Sequence, residues 1–200
     1  MFVLMMLVRY IINIDDVDKL FKLLGAILFS VGLYMVCALR FMLYTGKIGS
    51  IYVEHLTCDM VRQLGVMLIA NMLGSCGFGY TCYWIFRNTK LYTVTNDIVM
   101  NRTMLKNFND YFSSFVNSVL CGSCVYAAVR CYSNGCKWLL MVFVAWFVYC
   151  GYEHCIADAY YYSFVSAFNL HSLWSIIINV VGNTLGPALV CHIWMNNDEP

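Results

Sequence analysis

Four stretches of this chain, at about 60–86, 108–129, 138–157 and 172–195, are both long and apolar. Each approaches or exceeds the roughly 20 residues that an α-helix needs to cross about 30 Å of hydrocarbon. No single soluble core buries so many such runs, and the chain is expected to be an all-α membrane protein. Composition agrees: 62% of residues are hydrophobic, 12% are charged and the mean hydropathy is +0.69, against about 25% charged in a soluble domain. Twelve Lys+Arg against eleven Asp+Glu give a net charge of +1. That leaves no basic stripe to neutralise phosphates, which excludes nucleic acid as a partner. The eleven cysteines are odd in number and scattered through apolar runs, where they act as small hydrophobes rather than a disulfide framework.

Along the chain the expected elements are a partial first helix at 1–14, a broken second helix at 20–55, a third at 60–86, a fourth at 108–130, a broken fifth at 138–168 and a sixth at 172–195. This is one transmembrane domain of five full spans plus part of another. The opening run is too short to span alone and has neither the basic segment nor the cleavage site of a signal peptide. Gly65, Ala70, Gly74, Gly77 and Gly79 mark the third window as a packing helix. Residues 87–107 form the most polar segment and read as a loop with Arg87, Lys90, Arg102 and Lys106. Within it, Asn101-Arg-Thr103 is a glycosylation sequon.

The charges inside the apolar runs carry the functional reading. Between Phe143 and Asp158 an otherwise bulky, apolar stretch holds Glu153, His154 and Asp158. Ionisable groups in lipid or a dry core are costly unless they face a partner or a polar cavity. A histidine titrates near neutral pH and can donate or relay a proton. The blander role for His154 is a core histidine satisfied by a backbone carbonyl. Glu153 reads as structural, and Asn71 as interhelical glue.

Several strings together resemble the formate/nitrite transporter family: Lys22-Leu-Leu-Gly25 through Phe29-Ser-Val-Gly-Leu33, Leu43-Tyr-Thr-Gly46, Ala70-Asn71-Met-Leu-Gly74, Gly151-Tyr-Glu-His154 and Val181-Gly-Asn183. They follow the family's order over about residues 22–195, and the Gly-Tyr-Glu-His string is the most specific. The resemblance implies an aquaporin-like helical bundle with broken helices, assembled as a homopentamer in which each protomer holds its own pore. It further implies constrictions at Phe29, Leu33 and Phe147 on the outer side and at Leu43, Tyr44 and Val125 on the inner side. Thr45, His154 and Asn183 would be the polar groups between them, and Lys106 a pore-facing cation that attracts anions.

The expected function is passage of small monovalent weak-acid anions such as formate, nitrite or lactate, with a proton, through the plasma membrane and without a cofactor. An anion loses its hydration in a dry apolar ring at a cost of many kcal/mol, whereas its neutral acid does not. The ends of broken helices are expected to offer unpaired N–H groups that favour negative charge.

Two positions depart from the family. Arg40 precedes the Leu43-Tyr-Thr string where the family has a small residue, and it is expected to hold anions or to block the pore. Asp158 stands where the family has an amide, one helical turn after His154, and is expected to pair with the imidazole. Two other classes stay open. One is a transport-dead scaffold of the same family, suggested by Arg40 and the short first helix. The other is a membrane haem or quinone redox subunit using His154, His171 and His192. Cys121-Gly-Ser-Cys124 has redox spacing but lies inside an apolar span and reads as packing.

Overall fold

The computed structural model describes residues 18–103 and 108–195, and every regular element among them is helical. The helices are α1 (Asp18–Ala38), α2 (Tyr44–Lys47, continued by a 3-10 turn Ile48–Tyr52), α3 (Cys58–Phe86), α4 (Lys90–Thr103), α5 (Phe108–Ser133), α6 (Lys137–Cys150), α7 (Cys155–Phe164) and α8 (Leu170–Met195). The expected partial helix at 1–14 and Lys106 lie outside the described residues. Among those described, α3, α5 and α8 are long and apolar enough to cross a membrane, and α6 with α7 forms a fourth candidate bent by 51°.

Side chains are distributed inside out relative to a soluble bundle. On α8, Leu173, Ile177, Val181, Leu185 and Leu189 are exposed at every fourth position, while Ser175, Asn179 and Asn183 are buried. Only a solvent as apolar as leucine makes that orientation favourable, because polar groups must then find their partners within the protein. The main packing pairs are α5 on α8, α3 on α7, α1 on α6 and α5 on α6.

The α5–α8 contact is made by backbones. A Cβ on Gly122 would stand 2.5 Å from the carbonyl oxygen of Asn183. Pro187, inside α8, cannot donate the usual helical bond to that same carbonyl. On α3 the small residues expected to mediate packing divide. Gly79 abuts α7, with Tyr160 O 2.6 Å from where its Cβ would be, whereas Gly65, Gly74 and Gly77 have no neighbour within 4 Å of that position.

The expected loop at 87–107 is largely helix. In α4, Leu91, Thr95 and Val99 are buried at a four-residue spacing, and Val99 joins Cys82, Tyr160, Tyr162, Phe164 and Val165 in one apolar cluster. Three inward residues at i, i+4 and i+8 suffice to hold an otherwise polar helix against a bundle. Asn101 therefore lies in the last turn of a helix rather than in the loop a glycosylation acceptor suggests.

Candidate functional site

Two chain breaks, after α1 and after α6, are built alike. Helix α1 ends with Arg40 in the left-handed region (φ 57°), and α6 ends with Gly151 there (φ 77°). At the first, Arg40 N donates to Cys37 O and Phe41 N to Val36 O; at the second, Gly151 N donates to Val148 O and Tyr152 N to Phe147 O. Both are Schellman closures, which satisfy the last carbonyls and turn the chain sharply. Three residues beyond each left-handed position the chain is extended again, at Leu43 (φ −114°, ψ 123°) and His154 (φ −121°, ψ 112°), and these two residues cap α2 and α7.

An asparagine from a later helix clamps each break. Asn71 Oδ1 accepts from Tyr44 N at 2.9 Å and its Nδ2 donates to Met42 O at 3.2 Å. Asn183 Oδ1 accepts from Cys155 N at 2.9 Å, and its Nδ2 donates to Glu153 O at 3.0 Å and to Ser118 O at 2.7 Å. Each amide thus satisfies the carbonyl before and the N–H after the extended residue, groups that a broken helix would otherwise leave unpaired in an apolar surround. The sequence separations, 27 and 29 at the first break and 28 and 30 at the second, show the same unit used twice. The first N–H of each helix after a break, Tyr44 N or Cys155 N, is therefore bonded to an asparagine of the protein.

His154 and Thr45, one on each break, meet at the centre. Thr45 Oγ1 lies 3.1 Å from His154 Nε2, and Ala157 N donates to His154 Nδ1 at 3.3 Å. The Ala157 bond assigns the neutral tautomer with its proton on Nε2, which then donates to Thr45. Both residues are buried. The Phe147 ring lies nearly parallel to the imidazole at 6.1 Å, and Phe29 meets Phe147 edge-on at 5.8 Å.

The apolar residues gather beside this pair. Leu33, Val125 and Phe147 are buried in one cluster with Cys121, Ala128, Leu140 and Val144, and Phe29 and Leu43 pack against it. Residues expected on opposite sides of the centre thus share a single apolar body. Tyr44 sits elsewhere, with Ile48 and Leu64, its hydroxyl 2.8 Å from Thr184 Oγ1.

The two departures from the family take up structural positions of their own. Arg40 is exposed and supplies the left-handed residue of the first closure. Asp158 is buried, and its Oδ2 accepts from Asn179 Nδ2 at 2.8 Å. The two ring nitrogens of His154 face Thr45 and Ala157. Sequence reasoning misses Asn179; its signal is a second amide four residues before Asn183, on the same helical face. His171 lies near Tyr111, with Nδ1 3.3 Å from the hydroxyl. It shares α8 with His192, about 32 Å further along at 1.5 Å per residue, too far apart to flank one haem.

The sequence matches the model of the Formate/nitrite transporter family over residues 1–195. No curated protein matches it. Among solved structures it is similar in fold to a pentameric formate channel with formate bound, at TM-score 0.71 and 21% identity, with 88% of this chain and 82% of that one covered. It is also similar to an FNT family ion channel, at TM-score 0.75 and 16% identity, with 98% and 84% covered. The chain belongs to the formate/nitrite transporter family.

Proposed function

We propose that the protein is a channel for small monovalent weak-acid anions of the formate, nitrite or lactate kind, carried across the plasma membrane with a proton by a homopentamer. The observation that carries this reading is the buried Thr45–His154 pair, set between two clamped helix breaks and against the Phe29–Phe147 apolar cluster. A dry apolar passage discriminates steeply against charge, so the species that crosses it is the neutral acid. Supporting that role for His154, its Nε2–H points to Thr45 Oγ1, and an oxygen of the acid that displaced the threonine hydroxyl would take this bond while the ring kept its Ala157 bond. A proton gained on Nδ1 would set two donors against each other at Ala157 and loosen the cap of α7. The neutral ring is accordingly the resting form, and it hydrogen-bonds the acid in passing.

The test is uptake of formate and lactate into proteoliposomes across a pH range, with wild type and His154→Phe compared. Uptake should rise as external pH falls, because the fraction of neutral acid rises, and the phenylalanine variant should lose roughly tenfold, about the loss of one well-placed hydrogen bond. Uptake indifferent both to pH and to the substitution would overturn the coupling.

A further inference from the structure

Behind the break at His154 lies a second polar centre that the pathway does not use. Asp158, in the first turn of α7, is 3% exposed and Asn179 of α8 is fully buried. Ser114 Oγ donates to Asn179 Oδ1 at 3.1 Å, and Ser118 Oγ stands 2.7 Å from the same oxygen. With its oxygen committed to hydroxyl donors, the Asn179 amide presents its Nδ2–H to Asp158 Oδ2 at 2.8 Å. The network therefore aims a donor at the carboxyl group, which suits an ionised Asp158.

Its location gives that charge a consequence. The start of a helix carries about half a positive charge, and a half-helix inside a membrane commonly turns that end toward an anionic substrate. At α7 the protein itself takes two of the free N–H groups at that end: Cys155 N is bonded to Asn183 and Ala157 N to His154. An ionised Asp158, four residues after the cap, would compensate the field that remains. Ser118 joins the two centres, because its carbonyl also accepts from Asn183, the clamp of the break.

We propose that Asp158, held by Asn179, is a built-in counter-anion at the start of α7 that sets the pathway's preference for the neutral acid over the free anion. This rests on the transport reading above. Asp158 acts through the field at the break and is a specificity-determining residue, not a proton carrier.

The test measures the half-saturating formate concentration for uptake into proteoliposomes at fixed pH, with the membrane potential followed by a voltage-sensitive dye, for wild type, Asp158→Asn and Asp158→Glu. Asp158→Asn should lower half-saturation by about tenfold, the size of a partly buried charge–helix interaction, and formate uptake should build a potential that the wild type does not build. Asp158→Glu, which keeps the charge, should stay with wild type. Unchanged half-saturation and no formate-driven potential in Asp158→Asn would overturn the proposal while leaving the transport reading intact. If no form carries formate, the transport reading fails by itself, and infrared spectra of the wild type at about pH 7 against Asp158→Asn still decide the counter-anion. A carboxylate band lost in the variant supports it, and a protonated carboxyl band lost instead overturns it.

Discussion

Arg40 holds a backbone conformation, φ 57°, that costs a non-glycine residue about 1–2 kcal/mol. Its counterpart at the other break is Gly151, which adopts φ 77° without that penalty. The cation is therefore first a matter of backbone, and replacing it with glycine changes strain and charge together. Arg40→Gly should stabilise the protein by about 0.5–1 kcal/mol, less than the full strain because glycine also frees the unfolded chain. Thermal unfolding in detergent should show a rise of about 2–4 °C per kcal/mol for a chain of this size. A fall would mean that the guanidinium makes a contact worth more than the strain. Any change in flux has to be compared with Arg40→Lys, which keeps both the charge and the strained backbone. In the sequence Arg40 is visible only as a charge out of place. The φ angle it must adopt depends on where the helix stops, which residue types alone do not give. His154 is readable as the special group because so costly a residue rarely sits in an apolar run without purpose. Its tautomer is not, since that depends on the Ala157 N–H three residues on.

Helices α2 and α7 both begin at a break, where backbone groups lack their helical partners, and the two asparagines answer the same need in unequal surroundings. Asn183 is fully buried and makes three bonds. Asn71 makes two, one of them to the carbonyl of Met42, itself a highly exposed residue. An amide-to-leucine change leaves each buried backbone partner unsatisfied, at about 1–3 kcal/mol apiece. Asn183→Leu should therefore destabilise by several kcal/mol and displace His154, whereas Asn71→Leu should cost about half as much. Unfolding midpoints of the two variants check the order, and equal losses would contradict the account. At this scale the sequence is informative where a motif coincides with a break, as at Gly151-Tyr-Glu-His154. It is silent on α4, whose polar composition outweighs the stripe of Leu91, Thr95 and Val99 that holds it in place. It also overstates the glycines of α3, because a small residue permits close approach without requiring it, and only Gly79 among those described there has a helix against it.

Among the described residues, helix α8 turns Leu173, Ile177, Val181, Leu185 and Leu189 outward while Ser175, Asn179 and Asn183 are buried, the arrangement of a bundle in lipid. Helical class and membrane setting follow from the length and number of apolar runs, and both are legible in the residue types alone for that reason. The repeated break–clamp unit is not, because its members lie nearly thirty residues apart and share one residue type, asparagine, with no string in common. That repeat sets Thr45 from one copy against His154 from the other at a buried centre, the place where the proposed channel would favour neutral acid over anion. On the function proposed above, each formate crosses with one proton and no net charge. Proteoliposomes loaded with a pH indicator and a voltage-sensitive dye, given an inward formate gradient, test it directly. The account predicts internal acidification of one proton per formate, no membrane potential and a rate that rises as external pH falls; a formate-driven potential without acidification, at a rate independent of pH, would contradict it.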